Sequence, residues 1–203
     1  MSFKLVNIWN PKGGQGKSMI AVNLAAAAVE IKLKPLVICQ DPQGTATLYH
    51  QGGKLPFDVV SKVPDEKPDA NLVIIDHQAS DWEVPKGKII LMPVKPARSQ
   101  YKTYADAKKR AEAQGKQVIT VVTDTSHQRA DEIATAKRLI EKGAFEIPSS
   151  GVFSRADSDL VSIFDPSMDR AYKVKERRRE FLQILGAIFT GMLEEEGGMK
   201  DVA

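Results

Sequence analysis

One short segment constrains the fold of this chain more than any other, and it reads Asn10-Pro11-Lys12-Gly13-Gly14-Gln15-Gly16-Lys17-Ser18. It follows an apolar run at residues 5–9, which predicts a strand, and precedes an alanine-rich helical stretch at residues 18–31. The glycines allow backbone N–H groups to turn inward around phosphate oxygens, and the following helix adds the positive end of its dipole. The segment therefore predicts a phosphate-binding loop between a strand and a helix.

Polar side chains give this loop its expected chemistry. Lys17 supplies positive charge to bound phosphates, and the Ser18 hydroxyl can ligate Mg²⁺. The usual spacing of such loops has a glycine where Pro11 stands, and this loop carries a second lysine, Lys12, within it. We expect a nucleotide to be bound by eight consecutive residues: Lys12, Gly13, Gly14, Gln15, Gly16, Lys17, Ser18 and Met19.

Further apolar runs also predict strands, at residues 36–39, 72–75, 89–92 and 118–122. They are near-continuous rather than alternating, which is typical of strands buried on both faces of a sheet. Helical stretches are predicted at residues 99–114 and 130–142. This alternation predicts an α/β fold, a mostly parallel twisted β-sheet flanked by helices.

Two other segments complete the predicted organisation. The proline-bearing segment at residues 52–71 is expected to be a loop-rich connection. The tail at residues 169–196 predicts a helix whose apolar face docks on the sheet. That face consists of Phe181, Leu182, Ile184, Leu185, Ile188, Phe189, Met192 and Leu193.

Composition narrows the class of protein. At 203 residues the chain has the length of one domain, and we expect residues 1–203 to form it. The single cysteine, Cys39, excludes an intramolecular disulfide framework and a zinc cluster built mainly on thiolates. No apolar run approaches the roughly 20 residues that span a bilayer, and residues 1–10 lack the signal-peptide pattern. We therefore expect a cytoplasmic protein without stable membrane insertion.

The loop resembles that of the ParA/MinD family of deviant Walker-A P-loop ATPases, which reads Lys-Gly-Gly-x-Gly-Lys-Ser/Thr. Two further blocks agree with this resemblance. One is Asp41-Pro42-Gln43-Gly44-Thr45-Ala46-Thr47 after the second predicted strand, and the other is Leu72-Val73-Ile74-Ile75-Asp76 at the third. The motifs cover about residues 3–125, and the remainder agrees by element order only.

The resemblance implies a role for each matching residue and two cofactors, ATP and Mg²⁺. Lys17 holds the phosphates within its own subunit, whereas Lys12 reaches the partner subunit's phosphates in a nucleotide-sandwich dimer. Asp41 positions the attacking water, which makes Lys12, Lys17 and Asp41 the catalytic set. Ser18 and Asp76 support Mg²⁺. Independently of the family, carboxylates at the carboxyl ends of parallel strands lie where such sheets bind ligands.

Two positions depart from the family pattern. Cys39 stands where relatives often carry a second acid, and the loss of a carboxylate near the metal puts the hydrolysis rate in doubt more than nucleotide binding. His77-Gln78-Ala79-Ser80 follows Asp76, where the family usually has Thr-Pro-Pro. His77 could relay protons beside the triphosphate, but we expect a switch-loop residue without a titrating role.

The net charge of +3 is too small to indicate a nucleic-acid partner by itself, but its distribution is uneven. A basic cluster lies at residues 170–179, and we expect DNA phosphates to be bound without base reading by Lys173, Lys175, Arg177, Arg178 and Arg179. A second basic set consists of Lys102, Lys108, Lys109 and Arg110. Solvated helix faces are the other interpretation of both sets. Because the loop begins at residue 12, we expect no N-terminal helix-turn-helix domain.

The resemblance implies a partition ATPase of the small ParA type as the leading function. Such a protein is an ATP-dependent homodimer, associated with the nucleoid, that binds DNA non-specifically and drives plasmid or chromosome segregation. A small DNA-binding adaptor protein stimulates its hydrolysis. One alternative is a MinD-like membrane-associated positioning ATPase, because basic residues 177–179 precede an apolar helical face. The other alternative is a metabolic P-loop ligase or synthetase.

Overall fold

Seven strands lie at the centre of the computed structural model. The structure describes residues 4–125 and 129–197; for residues 191–197 it describes the path of the helix but not the side chains. The strands are β1 Lys4–Ile8, β2 Pro35–Cys39, β3 Asp58–Val60, β4 Leu72–Asp76, β5 Ile89–Val94, β6 Gln117–Thr125 and β7 Phe145–Pro148. The helices are α1 Lys17–Glu30, α2 Thr45–Gln51, α3 Arg98–Ala113, α4 Ala130–Glu141, α5 Gly151–Ser158 and α6 Val174–Gly197. A 3₁₀ turn spans Pro166–Met168 between α5 and α6.

The strands form one all-parallel sheet in the order β3-β2-β4-β1-β5-β6-β7. Ile8, the last residue of β1, pairs with Asp76 at the end of β4. Cys39, at the end of β2, pairs with the same Asp76 from the other side. The carboxyl ends of three central strands therefore meet at one point, where the strand order reverses and open parallel sheets bind ligands.

Helices cover both faces of this sheet. The larger core lies under α1, α5 and α6 and includes Ile20 and Phe181, both 0% exposed. In α1, residues 25–28 are alanines that are at most 2% exposed, which is typical of a helix packed on all sides. The core on the opposite face contains Trp9 and Tyr104 under α3 and α4. Each fully buried large side chain contributes on the order of 1.5–3 kcal/mol to folding.

The expected fold class is confirmed. Each of the five predicted strands is a strand of the parallel sheet, and the three predicted internal helices are α1, α3 and α4. The segment at residues 52–71 is a connection as expected, but it also contributes the edge strand β3. The short elements α2, β7 and α5 lie outside the predicted set.

The prediction for the tail was wrong in its start, whereas its docking on the sheet is confirmed at edge strand β7. The helix begins at Val174 rather than at Asp169, because Lys173 has a φ of 60° and interrupts the helical conformation. Its apolar face packs chiefly on α1 and on edge strand β7. The side chains of Met192 and Leu193 lie outside the described part of the structure.

Candidate functional site

The loop between β1 and α1 has the backbone shape that phosphate binding requires. Gly14 and Gly16 have φ values of 72° and 84°, a left-handed region that glycine adopts at no steric cost. Gly16 is also the residue that precedes α1, and its position provides no side-chain cap for the helix. The first backbone N–H groups of α1 are therefore available to an anion, with the positive end of the helix dipole behind them.

Two buried amide side chains hold this loop in shape. Asn10 donates from Nδ2 to the Pro93 carbonyl at 2.7 Å and accepts the Lys12 backbone N–H at 2.9 Å. Gln15 donates from Nε2 to the Gly13 carbonyl at 3.0 Å, within the loop itself. These hydrogen bonds hold the loop backbone in one conformation. The remaining N–H groups of the loop are therefore already oriented before a phosphate binds.

Gln15 also joins the loop to the rest of the sheet edge. Its Nε2 donates to Gln100 Oε1 at 2.7 Å, and its Oε1 accepts the Lys95 backbone N–H at 2.9 Å. Its own carbonyl accepts the Thr123 hydroxyl at 3.1 Å. The loop is thereby connected to the start of α3 and to the end of β6. Sequence reasoning missed these bonds, because nothing in the sequence pairs residues 85 or 108 positions apart.

The two loop lysines occupy different environments. Lys17 is buried, and its Nζ donates to the carbonyls of Asn10 and Lys12 at 3.3 and 3.4 Å. Burial lowers the pKa of Lys17, and the carboxylates of Asp76 and Asp41 oppose that shift. Lys12 is exposed. The two lysines therefore differ in burial, and Lys17 is the one whose Nζ lies against the loop carbonyls.

Asp76 ends β4 directly beneath the loop and is 0% exposed. Burial raises its pKa to about 6, while hydrogen bonding from Ser18 and the charge of Lys17 act in the opposite direction. The Cys39 thiol donates to Oδ2 at 3.9 Å, whereas Oδ1 has no partner among the described residues. A buried carboxylate oxygen without a partner beside a serine hydroxyl fits Mg²⁺, which prefers oxygen ligands.

Asp41 stands at the end of the neighbouring strand, two residues beyond Cys39. Its Oδ1 accepts the Gln43 N–H at 2.9 Å and its carbonyl accepts the Gly44 N–H at 2.8 Å, so a tight turn fixes the residue before α2. The half-buried side chain lines an open cavity of about 480 Å³. A carboxylate so held is free to orient a water molecule.

His77 follows Asp76 but lies in a closed environment. Its Nε2 is 3.0 Å from Asn7 Oδ1, and Nδ1 is 3.8 Å from the nearest Asp81 carboxylate oxygen. Burial lowers the pKa of His77 to about 4, although Asp81 opposes the shift. The imidazole is therefore neutral at physiological pH, which agrees with the expectation of a switch-loop residue without a titrating role.

A cavity of about 240 Å³ opens beside the loop, on the side away from Asp41. It is lined by Gly14, Gln15, Gly16, Met19, Lys95, Thr123, Asp124, Ile147, Pro148, Ser149, Ser150, Phe153 and Ser154. Its position next to the loop glycines suits the base of a nucleotide whose phosphates lie on the loop. Sequence reasoning missed the wall at residues 147–154, because the four-residue strand β7 has too few residues for a strand pattern.

The basic cluster at residues 170–179 does not form one surface. Arg177 is 8% exposed and its Nη2 donates to Glu180 at 2.8 Å, so its guanidinium is not available to a DNA backbone. The prediction that Arg177 binds DNA is corrected here: the residue faces the interior of the α6 packing. Lys173, Lys175 and Arg179 are exposed, as expected for phosphate contacts.

Arg178 is also engaged within the fold. Its Nε donates to the Ile163 carbonyl at 2.7 Å, and its Nη2 donates to the Asp165 carbonyl at 3.1 Å and to the Asp169 carboxylate at 2.8 Å. Its guanidinium lies 5.7 Å from the centre of the Phe164 ring. Four partners make Arg178 a structural residue, so the prediction that it contacts DNA is also revised.

In the second basic set, Lys108 forms an ion pair with Glu112 one turn later in α3. Lys102, Lys109 and Arg110 are exposed. This set therefore keeps three exposed cations, and three of the five residues predicted to bind DNA in the C-terminal cluster are exposed as well.

Comparison with known proteins places the chain in a family. Residues 6–194 match the family model of the CobQ/CobB/MinD/ParA nucleotide binding domain. No curated protein matches the sequence at a significant level. Solved structures are similar in fold at low sequence identity. A plasmid partition protein from Borrelia burgdorferi bound to AMPPNP is 14% identical, with 90% of this chain and 98% of that chain covered and a TM-score of 0.67.

Two further structures have a comparable fold. MinD from Pyrococcus horikoshii complexed with Mg-ADP is 13% identical, with 95% of this chain and 98% of that chain covered and a TM-score of 0.67. The ATP complex of a McdA variant from Cyanothece is 13% identical, with both chains fully covered and a TM-score of 0.66. The resemblance inferred from the loop is confirmed, and the chain belongs to the CobQ/CobB/MinD/ParA family of nucleotide-binding domains.

Proposed function

We propose that residues 1–203 form a single P-loop ATPase domain that hydrolyses ATP slowly with Mg²⁺. One observation carries this proposal: the pre-shaped loop, Lys17, Ser18 and the buried Asp76 converge at the carboxyl ends of three central strands. Relatives of the same fold were solved with AMPPNP and with Mg-ADP.

The chain's own residues divide the work of phosphoryl transfer. Lys17 moves from the loop carbonyls to the phosphates, and Ser18 and Asp76 hold the cation. Bound Mg²⁺ neutralises the negative charge of the phosphates. Asp41 orients water at the edge of its open cavity. Phosphoryl transfer depends mainly on such positioning and charge neutralisation, so these groups suffice.

The exposed position of Lys12 supports an ATP-dependent homodimer. A lysine outside its own phosphate site can reach the phosphates of a second subunit placed face to face. In this arrangement ATP lies between the subunits and joins them, and ADP, which lacks the γ-phosphate, holds them less tightly.

We infer a role in DNA partition from the exposed cations at Lys173, Lys175 and Arg179 together with Arg170. Dimerisation doubles this surface, which allows a chain with a net charge of +3 to bind DNA when ATP is present. A small DNA-binding adaptor protein, bound to the cargo, stimulates hydrolysis and releases the dimer from the nucleoid. A plasmid partition protein is among the similar structures.

MinD proteins are also among the similar structures, so the membrane alternative was compared with the fold. Between residues 181 and 188 the apolar face of α6 that could form an amphipathic membrane helix is packed in the core, because Phe181, Ile184 and Ile188 are 0% exposed. Within residues 4–125 and 129–197, no helix combines the length and apolarity that crossing a bilayer requires. The burial of these three side chains argues against that part of α6 as a lipid-binding face.

Co-sedimentation distinguishes the two roles. The full chain is incubated with ATP, with ADP or without nucleotide, in the presence of mixed-sequence duplex DNA or of anionic liposomes. We expect sedimentation with DNA in the ATP sample alone and none with liposomes in any sample. Sedimentation with liposomes and not with DNA would instead favour the MinD-like function.

A further inference from the structure

An exposed aromatic ring stands inside the basic surface before α6. We define the turn patch as Arg170, Tyr172, Lys173, Lys175 and Arg179, all of which are exposed. Tyr172 is 81% exposed, the highest value for a large apolar or aromatic side chain within the described ranges. A ring in that position buries almost nothing in the fold, so folding stability does not account for it.

The turn that displays this ring is fixed rather than loose. Arg178 bonds the carbonyls of Ile163 and Asp165 and the carboxylate of Asp169, which ties the segment before the turn to α6. The Ile163 N–H in turn donates to Asn23 Oδ1 at 2.9 Å, which anchors the same segment to α1. A surface group that is already fixed loses less conformational freedom when a partner binds.

Charge around the ring suits a polyanion. Lys173 Nζ lies 5.3 Å from the centre of the Tyr172 ring, a cation–π distance. The nearest acid before the turn, Asp169, is already engaged by Arg178. Two exposed acids, Asp169 and Glu176, lie beside the four exposed cations of the turn patch.

We propose that Tyr172 contacts the sugar and base surface of DNA while the cations of the turn patch hold its phosphates. This inference rests on the proposed DNA binding and adds a contact of a different physical kind. Phosphate contacts release counterions and weaken steeply with salt, whereas the contact of an uncharged ring with the sugars and base edges in a groove of the duplex releases no counterion. The two kinds of contact are therefore separable by their salt dependence.

The experiment measures the affinity of the ATPγS-bound protein for a fluorescein-labelled 20-base-pair duplex of mixed sequence at several salt concentrations. Tyr172→Ala should weaken binding by the same factor, about fivefold, at every salt concentration without changing the log–log salt slope, because the ring carries no charge. Tyr172→Phe should keep the parent affinity, since the ring is retained. Lys175→Gln should reduce the magnitude of the slope by about two units, because the dimer loses one phosphate contact in each of its two turn patches.

Matched controls make the outcomes decisive. Trp82→Ala removes another exposed aromatic side chain, 48% exposed, and should leave DNA affinity unchanged. Thermal melting of Tyr172→Ala should match the parent, because the ring is 81% exposed, and melting of Trp82→Ala verifies that the control variant is folded. If Tyr172→Ala binds like the parent while Lys175→Gln loses slope, the aromatic contact is absent although DNA binding stands. If the parent does not bind the duplex, both this inference and the proposed DNA function fail.

Discussion

At the scale of single residues, the two lysines of the loop differ in burial and therefore in expected role. Lys17 should bind phosphate in its own subunit, and removing one partner of a buried charged contact costs about 2–5 kcal/mol. Lys17→Ala should then lower ATP affinity roughly 30-fold or more. Lys12→Ala should leave monomer affinity nearly intact and remove ATP-dependent dimerisation. Isothermal titration and sedimentation velocity of both variants measure these effects, and equal losses of affinity would argue against the trans role of Lys12.

Asp41 gives a second test at this scale. Asp41→Ala should bind ATP and dimerise like the parent, because the carboxylate lies beside an open cavity and accepts the Gln43 N–H of its own turn. Turnover should fall on the order of 100-fold, the lower range for loss of a positioned acid or base. Steady-state phosphate release measures the rate, with Asp58→Ala, an exposed strand residue elsewhere, as the control. Parental turnover in Asp41→Ala would make Asp41 a structural residue.

Most of the site residues were predictable because each belongs to a local pattern. The glycines, Lys17 and Ser18 follow a predicted strand within nine residues, Asp76 directly follows an apolar run, and Asp41 comes two residues after one. The burial that raises the Asp76 pKa and the Gln15–Gln100 bond were not predictable, because both arise from residues distant in sequence. Arg177 and Arg178 were assigned to DNA because sequence charge does not distinguish an exposed cation from a buried one.

At the scale of elements, the junction of α6 with β7 contains an ionisable pair. The Glu180 carboxylate accepts a hydrogen bond from Arg177 Nη2 at 2.8 Å. Burial raises the pKa of Glu180 to about 7; the charge of Arg177 opposes this rise, and the charge of Glu146 adds to it. Between pH 4.5 and about 7 the folded chain holds a proton on Glu180 that the unfolded chain releases. The native state should therefore lose stability from this group as pH rises through that window.

Glu180→Gln tests this linkage, since glutamine does not titrate. Urea unfolding of the parent and the variant at pH values from 4.5 to 8 gives the difference in free energy of unfolding at each pH. The free energy of unfolding of Glu180→Gln should increase relative to that of the parent as pH rises from 4.5, and the difference should become constant above about pH 7. A difference that stays constant with pH would place the folded pKa of Glu180 near its ordinary value.

The elements missed from the sequence share a physical cause. β3, β7 and α5 are three, four and eight residues long, too short for a hydrophobic period to distinguish them from loops. They form at the sheet edges and depend on contacts with β2, β6 and the core for their stability. The central strands and α1 were predictable, because burial on both sides leaves a continuous apolar run or an alanine-rich stretch in the sequence.

At the scale of the whole molecule, DNA binding and dimerisation are expected to be linked. A dimer presents two turn patches, so DNA binds it more tightly than the monomer. Equilibrium linkage then requires DNA to favour the dimer by the same factor. Adding duplex DNA should lower the protein concentration at which half of the ATPγS-bound chain is dimeric, and the shift should shrink as salt rises. Analytical ultracentrifugation with a labelled protein measures the midpoint.

Lys12→Ala is the matched variant for this linkage, because its expected defect lies in the dimer and its turn patch is unchanged. It should remain monomeric with ATPγS at concentrations where the parent is dimeric, and it should bind DNA with about half the parent's log–log salt slope, since one patch replaces two. Exchanging Lys173, Lys175 and Arg179 for glutamine should have the converse effect. This variant should be half dimeric with ATPγS at the same protein concentration as the parent, and adding DNA should not change that concentration. If Lys12→Ala bound DNA with the full slope of the parent, the monomer would carry the whole DNA surface and ATP would not control DNA binding through dimerisation.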